Sequence, residues 1–528
     1  MPQIVNKNLV KSVDRLGFPS YNVVNICQST SQGKKVVYNV VDRSSPVPIY
    51  YQLKLHFKQQ MEAHTLRPGD RLPTEMELCE VYDVSRAPIR QALTELAREG
   101  YLYRRAGQGT FVARGVAKRL EQQTDLHLLT HYDVFWLGSM ESAVHAWNQT
   151  HPDREVTLKV TMCTRKDFHR QLRRAVAQGE APDIVPMDYV WVPDYARAGY
   201  LAPLDTLDKQ WARELAESLE TPVALNNTVD GQLYGVPVQA DISGLWYRRD
   251  WFEAEGIAPP ETWDTWLAII DHFALPEVQH RYHNQYSVVF PVGAAGGEAL
   301  INLLIPFFWT AGAQMVNGTD ALKLDDPAIY TALHFLRQIT GQRRACLPPN
   351  MIDFNWWDPS VHLAKGMTPM TLGGTYEWPR IQDESDWTEE QELVAHLGFV
   401  PAPRPTTETP PAFSLGGTSW AITRQSSEGE LCAEILKQVS STETLTAYCG
   451  EHLQISPHRA INACLSNGGH PWLEWIIPFL ALAHPRPFLS NYIQSSLFLQ
   501  DMLQKILWEG APLEETVQRT TQALALLV

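Results

Sequence analysis

At 528 residues the chain is too long for a single hydrophobic core, and two or three domains are expected. Its 44% hydrophobic and 20% charged residues are ordinary for a globular protein, and they exclude a fibrous or low-complexity chain. The net charge of −15 argues against nucleic-acid binding by the whole surface, but Pro46–Gly115 alone carries ten Lys/Arg against eight Asp/Glu, so the acid lies elsewhere.

Residues 1–45 are polar and mixed, with weak strand character at Lys35–Val41, and read as a poorly ordered arm. They contain no uninterrupted apolar run of signal-peptide type. The longest apolar stretch, Ala299–Ala313, is interrupted by Asn302 and Pro306 and falls short of the roughly 18 residues of a membrane span. Seven dispersed cysteines (27, 79, 163, 346, 432, 449, 464) form no CxxC pair and have no histidine at zinc spacing. That pattern suits a reducing cytosol, with no metal site and no membrane partner expected.

Pro46–Thr65 has helical periodicity, with Leu53, Phe57 and Met61 on one face. Pro48 lies near its start, where a missing N–H does no harm. After the LRPGDRLP turn, Thr74 is placed to cap a helix over Glu75–Val81, with Glu77 completing a capping box. Ser85 is placed to cap a third helix that runs to Glu99 and stops at Gly100. Tyr101–Tyr103 and Gly109–Val112 read as strands around the AGQG tip. This is the order of a winged helix-turn-helix.

In such a unit the third helix enters the major groove by its N-terminal end. Arg86 and Arg90, four apart, share one helix face there, and arginine can grip guanine or phosphate. Arg105, Gly107 and Gln108 suit the tip of a wing, while Thr74 and Ser85 stand where helix ends meet phosphate. The whole segment PVPIYYQL…LRPGDRLPTEMELCEVYDVSRAPIRQALTELAREGYLYRRAGQGTFVA resembles the GntR family of winged-helix regulators over about 68 residues. The resemblance implies a homodimer on palindromic operator DNA, with Arg86, Arg90 and Gly107 at the contact. Many members carry Arg where this chain has Met76, so its operator preference is expected to differ.

After a linker over residues 114–125 the pattern changes to alternating strands and helices. A strand over Leu126–Trp136 leads to a helix around Met140–Asn148. A strand VTLKVTM, a helix Asp167–Gln178 and a strand DIVPMD follow. This β–α–β–α–β order predicts a parallel sheet with ligand at the strand C-termini. An aminotransferase-like partner would need a Schiff-base lysine, and Lys159, Lys166, Lys209, Lys323, Lys365, Lys437 and Lys505 all lack that context. GxSxG, HExxH and P-loop patterns are absent as well. No enzyme activity and no cofactor are therefore expected.

Five segments in order carry a second resemblance. They are APDIVPMDYVWVPDYARAGYLAPLD, DGQLYGVPVQADISGLWYRRDWFEAEGIAPPETWDTW, HLAKGMTPMTLGGTYEWP, GFVPAPRP and FSLGGTSWAIT. They are similar to the family 1 extracellular solute-binding proteins, the class that includes maltodextrin-binding protein. The resemblance covers residues 126–528 and implies a two-lobed α/β, periplasmic-binding-protein-like domain of type II. Lobe 1 is expected at about 126–237 and 402–455, and lobe 2 at about 238–401 and 456–528. The lobes would close over a solute.

A sugar offers an apolar face and a hydroxyl edge. Trp191, Trp246, Trp309, Trp357 and Trp378 are candidate stacking rings, with Trp356 and Trp420 behind them. Asp133, Asp188 and Asp241 are candidate hydroxyl acceptors, as are Asn355 and Glu377. Gly374 and Gly417 would let backbone approach the ligand. The expected whole is a multidomain cytoplasmic transcription regulator. It reads operator DNA through a winged helix (α+β) and senses a small-molecule effector, a carbohydrate, by lobe closure. Two alternatives stay open: a transport-type binding protein with a vestigial DNA domain, and a regulator fused to an enzyme-like domain.

Overall fold

The computed structural model describes residues 41, 49–105, 107–113, 124–131, 134–316, 322–387, 389–489 and 491–527. The expected arm, most of the linker and Asp133 lie outside the described residues. The chain divides into two compact units, Met1–Asp183 and Ile184–Val528.

The first unit opens with α1 (Ile49–Glu62), α2 (Glu75–Tyr82) and α3 (Arg86–Arg98), then a hairpin of β1 (Leu102–Arg105) and β2 (Gly109–Val112). The apolar spacing on α1 places Leu53, Phe57 and Met61 in one core with Leu78, Ile89, Leu93, Leu96 and Val112. Thr74 caps α2 as the sequence expects: its hydroxyl accepts from the Glu77 amide at 3.3 Å, and Glu77 returns a carboxylate to the Thr74 amide at 2.8 Å. Ser85 differs. Its backbone is extended at the start of α3, yet its side chain makes no capping hydrogen bond. The wing hairpin is in register from Leu102↔Val112 to Arg105↔Gly109.

Beyond the linker come β3 (Thr124–His131), α4 (Val134–Thr150), β4 (Val156–Cys163) and α5 (Arg165–Gln178). β3 and β4 are parallel over eight residue pairs, as a β–α–β unit requires. The strand expected over Leu126–Trp136 ends five residues early, at His131. Leu137, Met140, Val144 and Trp147 are all buried at helical spacing, and that stripe claims the preceding apolar residues for α4.

In the second unit the strands used below are β5 (Ile184–Asp188), β6 (Gly235–Arg248), β7 (Met370–Gly374), β8 (Leu397–Val400), β9 (Phe413–Ile422) and β10 (Ala483–Pro485). β6 is 14 residues long and buried throughout. Its first part pairs with β9, its last part with β7 and β8. Within this unit the pairings are antiparallel, apart from β9 with β10. The parallel pattern of the β–α–β–α–β stretch does not extend through this unit, where β6 and β9 run against each other through the middle. The helices that matter for the site are α6 (Glu298–Thr310), α7 (Asp358–Ala364), α8 (Trp378–Glu384), α9 (Pro471–Ile476) and α10 (Tyr492–Leu507). Asn302 of α6 bridges β6 and β9, donating to Ser243 Oγ at 2.5 Å and accepting from Ser414 Oγ at 2.6 Å.

Candidate DNA-reading face and solute site

The turn between α2 and α3 brings the starts of both helices together. Arg86 and Arg90 project from the first turns of α3, their side chains 67% and 58% exposed. Both are held by one acid that the sequence expectations did not include. Glu75 Oε2 lies 2.7 Å from Arg86 Nε and 3.6 Å from Arg90 Nε. The Arg86 hydrogen bond holds the Glu75 carboxyl below the usual carboxylate range, against a small effect of burial, and Arg90 and Arg104 add to it. Glu75 opens α2 directly after its cap, 11 residues before Arg86, and no local signal in the sequence pairs the two. Met76, beside it, is 74% exposed. Thr74 sits at the same end of α2, with its hydroxyl occupied by the capping box.

At the wing, Tyr103 and Phe111 stack at 5.6 Å, and the Arg105 guanidinium lies over both rings at 5.4 and 5.6 Å. Gly107 has φ +71 and would have nothing within 4 Å of an added Cβ, so the tip is open. The Gln108 amide closes the turn onto the Arg105 carbonyl at 3.0 Å, leaving the Gln108 side chain exposed.

In the second unit Asp188 ends β5 opposite Thr418 of β9, and Asp241 of β6 stands opposite Gly416. Residues 416 and 418 are two apart, so the pleat puts both carboxylates on one face of β9. Gly416 makes this possible. A Cβ there would lie 2.1 Å from Asp241 Oδ1. Gly417, at φ +146, is pressed between the Gln239 carbonyl and the Tyr189 ring, so it serves close strand packing.

Arg486 follows β10 directly and is buried. It donates to Glu298 Oε2 at 2.9 Å and to Tyr492 Oη at 3.2 Å. Burial opposes its charge, but the nearby Tyr492, Glu298, Asp188 and Asp241 outweigh burial and keep it protonated. Its Nε is buried without a hydrogen-bond partner among the described residues.

The expected aromatic residues separate into two groups. Trp246, Trp378 and Trp472 form a closed stack, with Trp472 centred 4.9 Å from Trp246 and 4.3 Å from Trp378. Trp246 is 0% exposed and donates to the Gly374 carbonyl at 3.2 Å. Glu377 is buried too, accepts from the Gly374 amide at 3.0 Å, and burial raises its carboxyl well above the usual range. Trp246, Trp378 and Glu377 therefore belong to the interior, against the sequence expectation. Trp191 and Trp420 are buried as well.

The second group keeps partly open faces. Trp356 packs edge-on against Trp357 at 5.0 Å and against Tyr376 at 5.6 Å, and all three are half-buried. Asn355 is spent on local structure: its Oδ1 accepts from the Trp357 amide at 3.0 Å. Gly374 leaves room for the Tyr376 ring, which an added Cβ would meet at 2.2 Å. Trp309 is half-buried and tilts against His484 at 5.7 Å. The turn that carries Tyr376 docks on β6. Gly374 pairs with Ser243, and Thr375 accepts from the Ile242 amide at 3.2 Å, next to Asp241. Tyr376, absent from the sequence expectations, could be read from the GGTYEWP segment only by knowing where that turn docks.

Among the described residues, no helix is long and apolar enough to cross a membrane. The family model for bacterial extracellular solute-binding proteins matches residues 137–441, and that for bacterial regulatory proteins of the gntR family matches residues 49–112. The HTH-type transcriptional repressor NagR of Bacillus subtilis is 45% identical over 74 residues, 14% of this chain, and the chain spans only 30% of that relative's length. The lactose-binding protein of Rhizobium radiobacter is 24% identical over 323 residues, 58% of this chain and 68% of that protein. In fold, the chain is similar to maltose-bound MalE3 of T. maritima, with a TM-score of 0.65 at 21% identity over 76% of this chain and 100% of that one. Neither family is one of enzymes. The chain therefore belongs to the bacterial extracellular solute-binding protein family, and it carries a gntR-family winged helix ahead of that domain.

Proposed function

We propose that this protein is a transcription regulator that binds operator DNA through the winged helix and senses a sugar through the solute-binding domain. The observation that carries the reading is the junction, in one chain, of a DNA-reading fold and a sugar-binding fold. Neither has a use for the other unless occupancy of one alters the other. Arg86, Arg90, Arg105 and the Gly107–Gln108 tip form the DNA-facing set. Ser85, with its hydroxyl not spent on a cap, is free for phosphate. Asp188 and Asp241 accept sugar hydroxyls, while Trp309, Trp356, Trp357 and Tyr376 offer ring faces to the apolar side of the sugar. NagR is named a repressor and the other relatives bind lactose or maltose, which supports a carbohydrate effector.

The reading places the protein in the cytoplasm, where DNA is. It also makes it a homodimer, because one recognition helix reads too few base pairs for a useful operator. Sedimentation should then give a species near twice 59.8 kDa. Sugar that touches both lobes favours the closed form, and that differential contact supplies about 1–3 kcal/mol of coupling to DNA. The test is a thermal-shift screen of mono- and oligosaccharides, followed by titration of each hit against free and operator-bound protein. Sugar at 100 times its Kd adds about 2.7 kcal/mol to the folded state, well within detection. Equal sugar affinity with and without operator would refute the reading.

A further inference from the structure

A buried cation joins the DNA-reading unit to the first helix of the solute-binding domain. Lys54, on α1, is 0% exposed. Its Nζ lies 3.0 Å from Glu95 and 2.7 Å from Glu99, at the end of α3, and 2.7 Å from Glu141 of α4. Lys58, one turn along α1, makes a second 2.7 Å contact to Glu99 and sits over the Tyr101 ring at 4.7 Å. The Lys54 ammonium itself lies 5.3 Å from the Tyr51 ring centre.

Three carboxylate oxygens this close could suggest a metal site. The Lys54 ammonium already holds the position a cation would take. The charge count within the winged helix is also balanced without α4, since Lys54 and Lys58 match Glu95 and Glu99. Glu141 is the surplus acid, brought in by the other domain. Burial, and after it the charge of Glu99, holds its carboxyl above the ordinary range, against the pull of Lys54.

A buried ion cluster contributes little net stability compared with an apolar contact of the same size, because desolvation offsets the attraction. It does specify position strictly. If α4 slides or turns on α1, the fully buried Lys54 loses the Glu141 carboxylate with no solvent at hand to replace it. An apolar contact has no such penalty and tolerates slippage.

We propose that the Glu141–Lys54 contact locks the winged helix to α4 in one register, so that sugar-driven movement of the solute-binding domain reaches the recognition helix through it. The route is short: Glu141 to Lys54 on α1, then Glu95 and Glu99 at the far end of the helix that begins with Arg86. This rests on the regulator reading above and names its transmission point.

The test uses the full-length chain with Glu141→Gln, which removes the surplus charge at nearly constant shape and leaves the winged helix internally balanced. Glu141→Leu is the second variant, should Gln preserve the contact by hydrogen bonding. Without any ligand, amide hydrogen exchange should quicken at least tenfold in α1 as well as in α4, although only α4 is altered. A change confined to α4 overturns the lock. With maltose and lactose as probe sugars, the ratio of operator affinities with and without sugar should fall toward one in the variants, while sugar affinity of the DNA-free protein is unchanged. A ratio equal to that of the unaltered protein overturns the transmission role. If a sugar that binds the unaltered protein has no effect on its operator binding, the regulator reading fails instead, and the exchange measurement still decides whether the lock exists.

Discussion

Glu75→Gln separates orientation from charge at the DNA-reading face. Glu75 contacts both recognition-helix arginines through one oxygen, at 2.7 and 3.6 Å. The pairs are exposed, so their loss should cost stability no more than about 1 kcal/mol, and the fold should survive. On DNA two effects oppose each other. Removing a negative charge beside the phosphates strengthens sequence-independent binding. Freeing two arginines means that each must be ordered again on the operator, at about 0.5–1.5 kcal/mol apiece. Specific binding alone bears that cost, about 1–3 kcal/mol for the pair. The ratio of operator to scrambled-duplex affinity should then fall by roughly 5- to 150-fold. Fluorescence anisotropy on a selected operator and on a scrambled duplex, at 50 and 200 mM salt, reads both effects. An unchanged ratio would show that Glu75 does not organise the arginines. Equal weakening on both duplexes would point to a damaged domain.

Three further outcomes follow from the geometry. Trp246→Ala opens the closed Trp stack and should cost about 3–5 kcal/mol in a denaturant melt, whereas Trp357→Ala should leave the melt nearly unchanged and weaken sugar binding by isothermal titration. If Trp246→Ala instead spared the fold and lost only sugar, the interior assignment of that ring would be wrong. Gly416→Ala drives a methyl to 2.1 Å from Asp241 Oδ1, so the sugar-induced thermal shift should vanish while operator binding without sugar persists. Burial pulls His56 of α1 down to about 4. The unfolded chain therefore takes up that proton first, and the winged helix loses stability as pH falls from about 6.5 toward 4. Each tenfold difference in proton affinity between the folded and unfolded chain is worth about 1.4 kcal/mol, so the loss is at most about 3 kcal/mol. His56→Gln should flatten the urea midpoint across that window, and an unaltered slope would assign the loss to other groups.

The winged helix was readable from the chain because its signals are local. Thr74 and Glu77 are three residues apart, the Gly107 tip lies between Arg105 and Gly109, which pair across the hairpin, and Leu53, Phe57 and Met61 mark a face by their spacing alone. Ser85 shows the limit even there: a capping residue in the capping position that does not cap. The boundary near His131 was misplaced because Val134–Trp136 fits a strand or a helix equally, and only the buried stripe from Leu137 onward decides. In the larger domain the chemistry of a side chain was legible but its surroundings were not. Trp246 and Trp357 are the same residue type in similar apolar contexts, yet one is closed in by Trp378 and Trp472 and the other keeps an open face. Asp241 and Glu377 are both buried acids. Asp241 faces the gap left by Gly416, while Glu377 accepts from the Gly374 amide three residues back.

What a residue-by-residue reading loses most completely is the ion pair that spans chain distance. Glu75 and Arg86 are 11 residues apart, Lys54 and Glu141 are 87 apart, and nothing in the intervening sequence announces either pair. Both are also where the proposed regulator would need charge. In the proposed reading, Glu75 orders two exposed arginines before DNA arrives. A reading head that reports on a separate sensor needs a contact that fails sharply when displaced. Apolar packing degrades gradually with distance, whereas a buried lysine losing a carboxylate is penalised at once. The same property that makes such a cluster a poor source of stability makes it a good index of position, and in the proposed regulator α4 is where that index would be set.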